Sequence, residues 1–347
     1  MYKFALVGCG RISDKHVESL KVLENEGEAR LVACCDVVRE RADKIATTAG
    51  CKAYYSYEEM LKESDCDVVS ICTPSGLHPR HTIMAARAGK HVLSEKPSGT
   101  KLSEVDKAID VCDELGVKYF VVKQNRFNKT VQLLKKALDI GRFGRIYMLI
   151  SNVLWTRPQE YYDMAPWRGA WEFDGGCLCN QAAHYVDLMQ WLGGAVESVQ
   201  AFSATLARRI EAEDTIVVNL RYRSGALGSI NVTTLTYPKN LEGSITVIGE
   251  KGTVKIGGIA LNKIDTWVFE ESHPMDEEIQ RANTNPTSVY GFGHLDFYRC
   301  VIESLKGGMR VNGVVEGREG RKTVEIIEAA YQSALSGGQV KPCAMPR

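Results

Sequence analysis

The stretch KFALVGCGRIS, residues 3–13, decides how the chain is read. A short continuous apolar run meets a glycine turn, and a helical pattern starts at once. That is a strand buried on both faces feeding a helix. Gly8 permits a tight turn and Gly10 lets backbone approach a pyrophosphate, with Arg11 and Ile12 in the same turn. The N-terminus of the following helix attracts the negative charge. Ser13 occupies the third fingerprint position and is small enough for close packing. The next run, RLVACCD (30–36), carries Asp36 to the end of a second strand. A carboxylate there grips a ribose 2′-hydroxyl and repels a 2′-phosphate. NAD is therefore favoured, with Arg39 leaving NADP as the alternative.

Outward from this turn the same grammar repeats. DVVSICT (67–73), HVLSEK (91–96) and KYFVV (118–122) are further buried-strand runs. Helical patterns lie between and after them, near 14–24, 38–48, 79–89, 103–115 and 129–140. Strand and helix alternating in this way predict a parallel, doubly wound α/β sheet with ligands at one edge. Two loops fall on that edge. CTPSGLH (72–78) supplies Thr73, Pro74 and His78, and SEKPSG (94–99) supplies Glu95 and Lys96. Glu95 and Lys96 read either as a solvated ion pair or as groups turned into the cofactor crevice. Their place at the end of a parallel strand favours the second.

After about residue 145 the runs alternate instead: 198–206, 215–223, 228–236, 243–249, 252–258 and 265–270. Alternation predicts an antiparallel sheet with one face covered. Helical segments near 292–306 and 316–335 close the chain. The expected domains are 1–123, a Rossmann NAD-binding domain, and 124–347, an α+β substrate and oligomerisation domain, with the terminal helices free to pack back on the first.

Composition limits the function. With 43 basic and 43 acidic residues there is no net field for nucleic acid or an anionic membrane. The apolar runs are strand-sized, so a soluble, cytoplasmic protein is expected. Eleven cysteines, several inside strands, read as buried thiols, and Cys177-x-Cys179 lacks the partners of a zinc site. No metal is expected.

The glycine fingerprint, the CTP-x-x-x-H loop, the EKP motif and the stretch DGGCLCNQAAHYVD (174–187) together resemble the Gfo/Idh/MocA oxidoreductase family over essentially the whole chain. The resemblance implies a Rossmann domain, then a domain with a large open, mainly antiparallel sheet that serves as an oligomer interface, giving a homotetramer or dimer. It places Lys96 beside nicotinamide and substrate. The family's Asp, four residues before its His, is replaced here by Asn180, while the histidine is kept as His184. On one helix the two would share a face. Lys96 and His184 are thus the candidate acid–base groups, with Asn180 and Gln181 offering amides.

Within the family, WRGAWEFDGGCLCNQAAHYVDLMQW (167–191), KQNRFN (123–128) and GRFGRI (141–146) are similar to a branch that oxidises UDP-N-acetylglucosaminuronate at C3 for bacterial surface polysaccharide, including lipopolysaccharide. A diphosphate and a carboxylate need fixed cations and amides. Asn125, Arg126, Arg157 and Arg168 lie in loop-like segments, and Tyr161, Tyr162 and Trp167 are stacking or core residues. Three alternatives remain: a cyclitol or plain-sugar dehydrogenase such as one for myo-inositol, an NAD-dependent glycosidase, and a non-catalytic cofactor sensor. The residues also leave open whether NADH departs or is reoxidised in place by a 2-oxo acid.

Overall fold

The computed structural model describes residues 1–284, 291–307 and 314–343. The chain forms two compact units. The first comprises Met1–Lys123 with His294–Arg321, the second Gln124–Gly293 with Lys322–Arg347.

The first unit begins with β1 (Tyr2–Val7), α1 (Ser13–Asn25), β2 (Ala29–Cys35), α2 (Arg39–Ala49), β3 (Lys52–Tyr54) and α3 (Tyr57–Glu63). It continues with β4 (Val68–Ile71), α4 (His78–Arg87), β5 (His91–Ser94), α5 (Leu102–Glu114) and β6 (Tyr119–Val121). All six strands are parallel, in the order β3-β2-β1-β4-β5-β6. Every residue of β4 is buried, as its unbroken apolar run requires. In α5, Val105, Ala108, Ile109 and Cys112 form the buried stripe at helical spacing. Two elements escape the sequence reading: β3 and α3. The 3 residues of β3 are too few to carry a period, and the 7 of α3 make less than two turns.

The second unit opens with α6 (Lys129–Asp139), β7 (Ile146–Leu154), α7 (Gln159–Asp163), α8 (Gly176–Asn180) and α9 (Ala183–Gly193). Then come β8 (Val196–Ala204), β9 (Thr215–Tyr222), β10 (Leu227–Thr233), β11 (Glu242–Gly249), β12 (Gly252–Gly257), β13 (Lys263–Phe269) and α10 (Ile279–Ala282). The chain ends with α11 (Gly293–Leu305), α12 (Gly317–Leu335) and β14 (Lys341–Pro342). From His294 onward α11 groups with the first unit, whereas α12 passes to the second at Lys322.

The eight strands run β13-β12-β11-β7-β10-β9-β8-β14. The sheet is mainly antiparallel, as expected, with β7 and β10 paired parallel within it. Strand β7 was absent from the expected runs, yet it sits at the centre. Its first half, Ile146-Tyr147-Met148-Leu149-Ile150, is apolar throughout and hides the alternation. Residues in β9 alternate buried and exposed, so one face of the sheet packs inward. Val217, Leu227, Phe202 and Met148 are exposed on the other.

The expected single helix through Asn180 and His184 is also corrected. Gln181 and Ala182 N–H both donate to Cys177 O, at 3.0 and 3.1 Å, and α8 stops. Ala182 O then accepts from Tyr185 and Val186, starting α9. Asn180 ends one helix and His184 begins the next, so four-residue spacing does not put them on one helix face.

Candidate active site

Each unit carries one set of candidate groups. In the first, Gly8 has φ +93°, and a Cβ there would meet Cys72 C at 2.6 Å and Thr73 N at 2.7 Å. The turn is pressed against the end of β4, and only glycine fits. At Gly10 an added Cβ would find nothing within 4 Å, which leaves the open approach that a pyrophosphate needs. Ser13 Oγ donates to Gly10 O at 2.5 Å, Arg11 is exposed and Ile12 half-buried. Asp36 is nearly buried, and its two carboxylate oxygens accept from Cys9 N and Val38 N, each at 2.8 Å. These bonds tie it to the glycine turn. The Arg39 guanidinium stands over the Tyr55 ring, 4.1 Å from its centroid.

Thr73 Oγ1 lies 3.0 Å from His81 Nδ1, and Pro74 precedes a short 3-10 turn, Ser75–Leu77. His78 and Glu95, expected at the cofactor, are buried and have partners inside the protein. The ring nitrogens of His78 lie 2.7 Å from Pro97 O and from Thr73 O, so the ring sits between two loops. Burial lowers its pKa, against the pull of those carbonyls. Glu95 is buried and turned toward His16, 3.1 Å away. Lys96 is half-buried, and its N–H donates to Glu95 Oε2 at 3.0 Å.

In the second unit, Gln124 Nε2 lies 2.9 Å from His184 Nε2. With the amide donating, that nitrogen is the acceptor and the ring proton sits on Nδ1. Gln124 was missed in the sequence, although it stands inside the KQNRFN string. Arg126, expected among the substrate residues, has a partner within the second unit. It lies on a 3-10 turn, 3% exposed, and its Nε and Nη2 donate to the two oxygens of Asp187, both at 2.8 Å. Its charge is matched inside the unit, not offered from a loop. The Asn180 amide donates to Asp174, whose other oxygen accepts from Gly169 N at 2.8 Å.

Arg157, Tyr161, Arg168 and Gln181 do come together. The Arg168 guanidinium stands 4.3 Å from the Tyr161 ring and 4.5 Å from the Trp167 ring, and Arg157 is 5.4 Å from Tyr161. Gln181 Nε2 reaches Tyr161 OH at 3.5 Å. Burial raises the Tyr161 pKa, so its hydroxyl keeps its proton. Tyr162 is buried, its hydroxyl on Thr234 at 3.1 Å. Beside Arg168 opens a cleft of about 420 Å³ that also touches Tyr162, Gly169 and Arg209. Among the described residues, Asn125 Oδ1, Gln124 Oε1, Gln181 Oε1 and Arg168 Nε are buried without a hydrogen-bond partner. Buried polar atoms rarely stay so, and these suit a polar ligand.

One buried carboxyl holds the Gly175-Gly176 turn. Glu213 accepts from Leu178 N and Tyr331 OH, both at 2.9 Å. Desolvation pushes its pKa up to about 7, against those two bonds. A raised acid favours the protonated fold, so its stabilisation is present at acid pH and is lost as pH rises through about 7. The melting temperature should fall from about pH 4.5 to about pH 7, and Glu213→Gln should flatten that slope. An unchanged slope in the variant would refute the assignment.

None of the eleven cysteines is in a disulfide, and no described helix is long and apolar enough to cross a membrane. His16, Glu95 and His294 form one buried group of potential ligands.

Residues 2–123 match the family model for the oxidoreductase family, NAD-binding Rossmann fold, and residues 135–341 match its C-terminal alpha/beta domain. The chain is 53% identical to the WlbA dehydrogenase of Bordetella pertussis, solved with NADH and UDP-GlcNAcA, covering 99% of this chain and 98% of that one at a TM-score of 0.94. For the WlbA dehydrogenase of Chromobacterium violaceum, also with NADH and UDP-GlcNAcA, the values are 49%, 100%, 97% and 0.93. The myo-inositol 2-dehydrogenase of Thermotoga maritima is 30% identical, over 98% of both chains.

Proposed function

Because the chain belongs to the Gfo/Idh/MocA oxidoreductase family, we propose that it oxidises the C3 hydroxyl of UDP-N-acetylglucosaminuronic acid to the 3-keto sugar with NAD. One observation carries the substrate: whole-chain likeness at 53% and 49% identity to two WlbA dehydrogenases bound to NADH and UDP-GlcNAcA. The 30% likeness to myo-inositol 2-dehydrogenase weighs less. A neutral cyclitol would also offer Arg157 and Arg168 no anionic group.

The glycine turn fits NAD. Gly10 leaves room for the pyrophosphate, the α1 N-terminus faces that turn, and Asp36 stands at the end of β2 for the adenosine ribose. NAD, when bound, supplies the hydride acceptor. Lys96 takes the C3 hydroxyl proton as the carbon–hydrogen bond breaks, or His184 does so once Gln124 releases its Nε2. Lysine does this only when neutral, and exclusion of water with a cation nearby lowers its pKa. Gln124 holds His184 in one tautomer. Arg157 and Arg168 supply charge for the diphosphate and carboxylate, Tyr161 a stacking face, and Asn125, Asn180 and Gln181 amides.

We place the reaction in the cytoplasm, in surface-polysaccharide sugar synthesis. The exposed sheet face bearing Phe202, Val217 and Leu227 is proposed to pack on a second copy, in a dimer or tetramer, because an apolar sheet face left in water invites association. A monomer by sizing at micromolar concentration would contradict that. Thermal shifts test the ligands. NAD should stabilise more than NADP, with Asp36→Ala narrowing the gap. UDP-N-acetylglucosaminuronic acid added to the NAD-bound protein should raise the melting temperature further than UDP-N-acetylglucosamine or myo-inositol. The reverse order would contradict the reading.

A further inference from the structure

Lys96, one of the two groups proposed as base, is preceded by a buried carboxylate that three distant elements hold in place. Glu95 Oε2 accepts from the Lys96 N–H at 3.0 Å. Its other oxygen, Oε1, lies 3.1 Å from His16 Nε2 on α1. His16 Nδ1 lies 2.7 Å from Tyr298 OH on α11, and that hydroxyl lies 2.9 Å from Ser70 Oγ on β4. One pattern of protons makes each of these contacts a hydrogen bond to an ionised Glu95. Ser70 donates to Tyr298, Tyr298 to His16 Nδ1, and His16 Nε2–H to Glu95. His294 Nε2 stands 3.6 Å from the same carboxylate oxygen, an ion-pair distance and too long for a hydrogen bond. Burial opposes ionisation of Glu95, but His16 and His294 outweigh it and keep its pKa well below the usual range. All five residues are buried and belong to the first unit.

We infer that Tyr298 and His16 are positioning residues for Lys96, acting through Glu95. Nothing local in the sequence points to them, since Tyr298 and Ser70 are 228 residues apart. A carboxylate fastened at both oxygens fixes its own rotamer and, through Oε2, the backbone amide from which the Lys96 side chain departs. His78 holds the other flank through Pro97 O. Shifting a catalytic group by about 1 Å can slow a reaction about 10²-fold, so this support has leverage on rate. His16, Glu95 and His294 could also be read as cation ligands, since their donor atoms lie within 4.8 Å of one another. The proton pattern already occupies Glu95 Oε1 and both nitrogens of His16, so a relay accounts for the cluster without a cation.

The inference rests on Lys96 being the base of the proposed reaction, and a double-mutant cycle separates the two. Tyr298→Phe removes one hydroxyl and little volume. With UDP-N-acetylglucosaminuronic acid and NAD, it should lower kcat about 10-fold, the usual scale for losing an orienting partner, with KM within about twofold. Ser70→Ala should do the same more weakly. In a Lys96→Met background the Tyr298 change should alter the residual rate less than about twofold, because the group it positions is gone. Equal slowing in both backgrounds would mean a general structural role and would overturn the inference. No slowing in the wild-type background would overturn it too. A Lys96→Met enzyme with normal rate removes the base assignment itself, and the relay with it. A full equivalent of zinc or another cation in the purified protein would assign the cluster to a metal instead.

Discussion

Lys96→Met is expected to lower turnover about 10²–10⁴-fold while leaving NAD bound. The reason is local. Lys96 follows a buried strand end, its amide is held by Glu95, and its side chain leaves a half-buried position on the edge where a parallel sheet presents its ligands. Methionine keeps the length and apolar stem and removes only the amine, so binding by the glycine turn and Asp36 should persist. Steady-state kcat with a separate titration of NAD checks it. Near-normal kcat would exclude Lys96 as the base and leave His184. His184→Asn is expected to slow turnover less, since Gln124 already occupies Nε2 of that ring.

Arg126→Ala should destabilise the protein by about 3–5 kcal/mol, because it leaves the Asp187 carboxylate buried without its bidentate partner. Both side chains are almost wholly buried, at 3% and 1% exposure. Thr323 Oγ1, 3.2 Å from Asp187, is a single neutral donor and cannot replace a guanidinium. The Arg126 guanidinium also loses its seat 4.9 Å from the Trp191 ring centroid. A melting temperature on the order of 10 °C lower is the expected reading. Replacing both members, Arg126→Met with Asp187→Leu, should recover much of the loss, since neither charge then remains buried. A single variant that melts like wild type but binds the nucleotide sugar poorly would return Arg126 to the substrate role first expected of it.

These cases show what could be read from the chain in advance. The Rossmann half was legible because each step is local: a buried run, a glycine turn at Gly8, a carboxylate at Asp36, repeated at short range. Element type survived even where bounds moved by a residue or two. Strand β7 was not legible, because the middle strand of the second sheet lacks the two-residue alternation. Nor was the break between Asn180 and His184. It depends on the backbone bonds to Cys177 and on Glu213 beneath the turn, and Glu213 is 35 residues from the Leu178 amide it accepts from. Arg126 shows a different limit. Sequence marks a cation in a polar string, but only the fold tells whether Asp187 or a ligand receives it. His16 and Tyr298 are long-range partners, and no motif spans them.

The most direct test of the account is product analysis. Purified protein with NAD and UDP-N-acetylglucosaminuronic acid should form reduced nicotinamide and a sugar nucleotide two hydrogens lighter, with the new carbonyl at C3. UDP-N-acetylglucosamine, which lacks the carboxylate and leaves a cation of the site unpaired, should react far more slowly. If myo-inositol or free glucose is oxidised while the UDP-uronate gives neither reduced cofactor nor a lighter product, the account of this protein's substrate is contradicted.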